Sequence, residues 1–135
     1  MIELVADTNV ILRILIREDS EQNRIMRKVL EKIDRGELVL HVPNEVIMET
    51  VWVLESYYQL ERSLISETLT RLLESDGMVA DHRMQQALIQ FGSTKFDLVD
   101  LYLANHSNSS NIGLLSWDND FKKLDCEWYT PDQVV

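Results

Sequence analysis

The chain has 135 residues, 45% of them hydrophobic, which suits one globular domain over residues 1–135 with its own core and excludes a disordered segment. The net charge is −10, and it is unevenly placed. Residues 1–36 hold seven acids and seven bases, so the excess lies entirely in residues 37–135, with sixteen acids and six bases.

That balance disfavours a broad phosphate-binding surface. Either the substrate is not a nucleic acid, or acids hold cations and binding rests on a local basic patch. No apolar run is long enough for a membrane span, and Asp7 comes too early for a signal peptide. The single cysteine, Cys126, allows no internal disulfide and reads as a strand residue of a protein in the reducing cytoplasm.

In chain order, Ile2-Glu3-Leu4-Val5-Ala6 reads as a short apolar strand that breaks at Asp7. Thr8 and Asn9 are turn and cap types, and Val10–Leu15 reads as a buried helix. A carboxylate at the carboxyl end of a first strand sits where open α/β sheets bind ligands, although a plain helix cap accounts for Asp7 equally well. After the turn at Arg17–Ser20, a helix running to about Arg35 has Ile25, Met26, Val29, Leu30 and Ile33 on one face. Its other face carries Arg24, Arg27, Lys28, Lys32 and Arg35. Such a face is ordinarily only solvated, with nucleic-acid contact as the alternative.

Leu38–Val42 is a second strand closed by Pro43, with His41 a strand or rim residue. From Asn44 to about Tyr58 the apolar residues cover nearly a whole helical circumference, which predicts a largely buried helix with Glu49 in its middle. A carboxylate there must be paired, wet at a rim, or metal-bound. Residues 62–75 form an amphipathic helix, Gly77–Ala80 a possible short strand, and His82–Phe91 a further helix with His82 near its cap. Asp97 and Asp100 then fall on one face near the start of a helix through Ala104. Ile112–Ser116 reads as a buried strand that delivers Asp118 and Asp120 at its carboxyl end. A short helix with Lys122 and Lys123 follows, then a last strand at Glu127–Tyr129.

Alternating strands and helices without a Gly-rich loop predict an α/β fold, a central parallel sheet flanked by helices on both faces. In that arrangement the ends of the first strand and of the Leu114–Ser116 strand can converge. Asp7 would face Asp118, with Asp100 and Glu49 supplied by helices. Four crowded carboxylates must take up protons or share a cation. Oxygen donors without Cys or His select Mg²⁺ or Mn²⁺, whose chemistry suits phosphodiester hydrolysis by a metal-activated water.

Four stretches in order carry a family resemblance: Asp7-Thr8-Asn9-Val10; Val46–Leu54 around Glu49; Phe96–Asp100 with Ala104; and Leu115–Phe121 around Asp118. Together they resemble the PIN domain, and most closely the VapC-like toxins of bacterial and archaeal toxin–antitoxin pairs, over essentially the whole chain. The resemblance implies a metal-dependent endoribonuclease in which Asp7, Glu49, Asp100 and Asp118 bind Mg²⁺ or Mn²⁺ and cleave RNA. It makes Ser116 a site-lining hydroxyl, Asn9 a support for the first acid, and Asp97 and Asp120 secondary acids. It also implies a homodimer silenced by an antitoxin whose tail occupies the site. Trp117 stands where Phe or Tyr is more usual.

Two other readings compete. One is a catalytically quiet PIN-like binding module, against which the intact quartet argues. The other is a phosphoacceptor receiver domain, which needs an acidic pair at the first strand and a lysine at the end of the last. This chain has only Asp7 at the first, and its last strand ends in Tyr129-Thr130-Pro131.

Overall fold

A computed structural model describes residues 1–135. The apolar opening stretch forms β1 (Ile2–Val5), and Asp7 ends it by capping α1 (Thr8–Leu15), its carboxylate accepting the Thr8 N–H at 2.8 Å. The helix therefore starts two residues before Val10. Ser20 caps α2 (Glu21–Asp34) through the Asn23 N–H. Asn23 is itself buried, and its amide donates to the carbonyls of Arg13 and Ile16. Those bonds fix the turn between the two helices.

After α2 the chain enters β2 (Leu38–His41), α3 (Asn44–Ser56), α4 (Arg62–Glu74), β3 (Met78–Val79) and α5 (His82–Ser93). The core is built from Ile11 of α1, Ile33 of α2, Ile47, Val51 and Leu54 of α3, and their counterparts on α4 and α5. Each fully buried aliphatic side chain contributes about 1.5–3 kcal/mol. Helix α3 departs from the expected all-round burial. Ile47, Thr50, Val51 and Leu54 face inward, while Glu45, Glu49, Trp52 and Ser56 form an exposed stripe at helical spacing. Trp52, the large apolar residue of that stripe, is 65% exposed.

Every strand pairing is parallel. β1 pairs with β2 from Ile2 opposite Leu38 to Val5 opposite His41, and β2 pairs with β3 at Leu40–Met78 and His41–Val79. Helix α6 (Leu98–Ser110) leads to β4 (Leu114–Leu115), which pairs with β5 (Trp128–Tyr129). The expected α/β class holds, with six helices around parallel strands. The sheet is in two pieces, however: β1-β2-β3 and β4-β5. β1 and β4 do not pair, and β1 is exposed along its length although Ile2, Leu4 and Val5 are apolar.

Polar ties explain where the second piece sits. Arg62 at the start of α4 donates to the carbonyls of Phe91 and Phe96 and stacks over the Phe91 ring at 3.7 Å, which fixes the turn into α6. Asp81 caps α5 and is gripped by Arg83 and Asn44; those hydrogen bonds, Arg83's first, hold its carboxyl well below the usual range. Along α6, Tyr102 joins this network, Asn105 donates to the Arg83 carbonyl and to Gln90, and His106 meets Arg83.

Gly77 has φ +84°, and a Cβ there would lie 2.4 Å from Ile33 Cγ2. Gly36 has φ +72° with open space around it. Gly77→Ala should therefore destabilise by about 2–3 kcal/mol and Gly36→Ala by only about 1 kcal/mol in urea unfolding. Equal losses would mean that Ile33 yields and that the contact constrains nothing.

Candidate functional site

The site is assembled by α6 and the turn after β4. Asp97 occupies the cap position of α6 without a capping bond, and Asp100 lies in the first turn. Across from it, Ser116 Oγ accepts the Asp118 N–H at 3.0 Å, and Asp118 accepts the Asp120 N–H at 2.9 Å. These two bonds shape the start of a short 3-10 helix, Asn119–Lys123, pinned by buried Phe121. Trp128 of β5 donates its indole N–H to the Ser116 carbonyl at 3.0 Å, which holds the strand end in place.

As a result, carboxylate oxygens of Asp100, Asp118 and Asp120 lie within 4.8 Å of one another. Partial burial, and then the neighbouring charges of Asp97, Asp118 and Asp120, push the Asp100 carboxyl above its ordinary range. A hollow of about 360 Å³ opens beside them, bounded by Leu103 and His106 of α6 and by Leu115 and Ser116. An all-oxygen donor set at this separation, carrying unrelieved repulsion, fits a hard divalent cation. Asp100, Asp118 and Asp120 are the residues that would hold it.

The sequence-derived set is divided. Asp100 and Asp118 come together, and Ser116 and Asp97 lie beside them. Asp7 and Glu49 do not join the cluster. Asp7 is exposed and caps α1; Glu49 is on the exposed stripe of α3. Asn9 faces a hollow between α1 and α2 with Arg13 and Ile25, not the acids. Asp120, a secondary acid by the family resemblance, is a full member of the cluster in space. The signal for it was its position two residues after Asp118, where a capping turn folds one acid onto the other.

Parallel strands, six helices and an acidic cluster at a strand end define an α/β domain with a candidate cation site. The PIN domain family model matches residues 4–126, and the chain belongs to that family. PIN domains are generally nucleases that act on RNA with divalent metal ions. Comparison with curated proteins gives no match. No helix is long and apolar enough to cross a membrane.

The raised proton affinity of Asp100 has a consequence for stability. The folded state holds this proton more tightly than the unfolded chain, so stability falls as pH rises from the unfolded pKa through the folded one. Above that window, Asp100→Asn should stabilise the metal-free protein, by no more than about 1 kcal/mol after screening. Below it, the gain should vanish. Thermal melts of both proteins between pH 3 and pH 7 (about the range needed) check this; a gain independent of pH would mean that ionisation of Asp100 is not its source.

Proposed function

We propose that the chain is a divalent-metal-dependent endoribonuclease, the toxin of a toxin–antitoxin pair, and that residues 1–135 act as one nuclease unit. The observation that carries the reading is the convergence of Asp100, Asp118 and Asp120 in a PIN domain. In this proposal Asp7, Glu49, Asp100 and Asp118 form the catalytic acidic set, with Asp120 added to it. Asn9, Asp97 and Ser116 support it.

Mg²⁺ or Mn²⁺ bound among these acids would neutralise phosphate charge and lower the pKa of a water it coordinates. The chain's own residues do the rest. Ser116 holds the backbone of Asp118 in the conformation that aims its carboxylate at Asp100. Phe121 anchors the turn from below. The hollow lined by Leu103 and Leu115 offers an apolar floor beside the acids, suited to an unstacked base. With acids concentrated at the site, phosphate binding has to come from elsewhere. The basic face of α2 supplies charge, its Arg27, Lys28 and Lys32 being exposed. A homodimer, an antitoxin that occupies the site and a cytoplasmic location complete the proposal.

One observation favours the quieter alternative, a binding module: Asp7 is already used as a helix cap, and Glu49 is in solvent. The two readings separate in one experiment. The purified chain, stripped of partner, is incubated with a varied RNA pool in Mn²⁺ or Mg²⁺ and in EDTA, and Mn²⁺ binding is measured alongside. Metal-requiring cleavage that Asp118→Asn reduces about 100-fold or more, with the fold intact, is the expected result. Absence of both cleavage and Mn²⁺ binding would leave the binding module.

A further inference from the structure

His106 borders the hollow beside the acids, yet it takes no part in the cation site. Asp100, Leu103 and His106 follow one another along α6 at every third residue, and all three line that hollow. The imidazole is anchored from the α5 side. Arg83 meets its Nδ1, and the Tyr102 ring stacks on it at 6.0 Å between centroids and 27° between planes. Arg83 is itself held by Asp81, its Nε and Nη2 donating to the two carboxylate oxygens at 3.1 and 2.9 Å. A two-pronged pair of this kind fixes the plane of the guanidinium.

That anchoring decides the tautomer. A guanidinium has only donors, so the ring nitrogen that meets it is the acceptor. Nδ1 carries the lone pair, and the N–H sits on Nε2. The ring's only hydrogen bond within the chain is the one to Arg83, so nothing accepts from Nε2. The other two histidines differ. His41 has Glu3 as its partner at 2.8 Å, and His82 is exposed at the start of α5. His106 alone is a half-buried, pre-oriented donor at the edge of a hollow.

The lining shows what such a donor would meet. Leu103, Ile112, Leu114, Leu115 and Phe121 give the hollow an apolar surface, and its volume of about 360 Å³ admits a planar ring. An unpaired nucleobase suits both features, because its faces stack on apolar groups and its edge carries ring nitrogens and carbonyl oxygens that accept. A phosphate is also drawn to an N–H. It would sit among apolar side chains beside the Asp100 and Asp118 carboxylates, where desolvation and like charge both oppose it.

We propose that this hollow binds an unstacked base and that His106 Nε2 donates to an acceptor atom on its edge, selecting the base held beside the acids. As a determinant of which RNA is cut, this role rests on the nuclease reading; as a base-binding site, it does not.

The site is tested first without cleavage. Protein isotopically labelled in its imidazole nitrogens is followed by long-range nitrogen–proton NMR and titrated with guanosine, adenosine, cytidine and uridine. These nucleosides are neutral, so the acids do not repel them. Free His106 should carry its proton on Nε2, and at least one nucleoside should shift that nitrogen saturably while His41 and His82 stay in place. A proton on Nδ1, no saturable shift at His106, or equal shifts at His82 overturns the proposal.

Two variants separate donation to a base from the tie to Arg83. The longer amide of His106→Gln brings an N–H to the region of Nε2. The shorter one of His106→Asn can still accept from Arg83 but extends no donor into the hollow. With both variants folded in thermal melts, His106→Gln should keep nucleoside affinity within about 2-fold and His106→Asn should lose about 5-fold. Equal losses, or the reverse order, would mean that His106 only braces α6.

In cleavage of a varied RNA pool, wild type and His106→Gln should select the base flanking the cut, and His106→Asn should select it about 5-fold less. Cleavage without base selection, or selection unchanged in His106→Asn, overturns the specificity role. A wild-type chain that cuts no RNA while a nucleoside still shifts His106 refutes the nuclease reading and leaves the base site standing.

Discussion

The seating of α6 against α5 governs where everything functional in this protein lies. Asp100 rides on the first turn of α6, and β4 with its trailing acids is a fixed continuation of the last. A chain of polar bonds sets the helix's orientation beside its apolar face. Asp81 grips Arg83, Arg83 meets His106, and Asn105 and Tyr102 complete the set. Leu98 and Leu101 enter the main core, whereas Ala104 and Ser107 pack away from it with Leu114 and Phe121 as the buried neighbours of β4 and its turn. Polar ties are directional where apolar packing is not, and here they choose the angle at which the second sheet leaves the first.

Against that frame the acidic site is a local product of two turns, one at each end of a short path in space. Helix α6 brings one carboxylate, and the capping turn after β4 brings two. Assembling them without a counter-ion costs most at Asp100, the least exposed of the three, through burial first and the neighbouring charges second. The same arrangement gives an acidic protein a means of meeting a polyanion: a cation between like charges converts repulsion into attraction.

Much of this was legible in the residues. The helices α2 and α4 announce themselves by period, and Ser20 and Asp81 cap the starts of α2 and α5. The parallel α/β class follows from alternation. Three features were not legible, each for a physical reason. The apolar count around α3 concealed its exposed face, because a single Trp52 turned outward is indistinguishable from one turned inward. Asp120 joins the cluster through a 3-10 turn whose geometry no periodicity reveals. The ends of the first strand and of the Leu114–Ser116 strand can converge in a parallel sheet, but β1 and β4 do not pair. Composition states that a strand should be covered, however, and not what covers it, and strand β4 shrank from five expected residues to two.

The bare edge of β1 has a bearing on how the chain survives its own synthesis. β1 emerges from the ribosome before Leu38–His41, the only segment that pairs with it in the folded chain, and its other side stays open even then. A nascent chain with such an edge is exposed to joining any neighbouring strand until it is covered. Anything that covers the edge in the folded state adds stability by mass action, so this protein's lifetime in the cell would rise and fall with the supply of that cover.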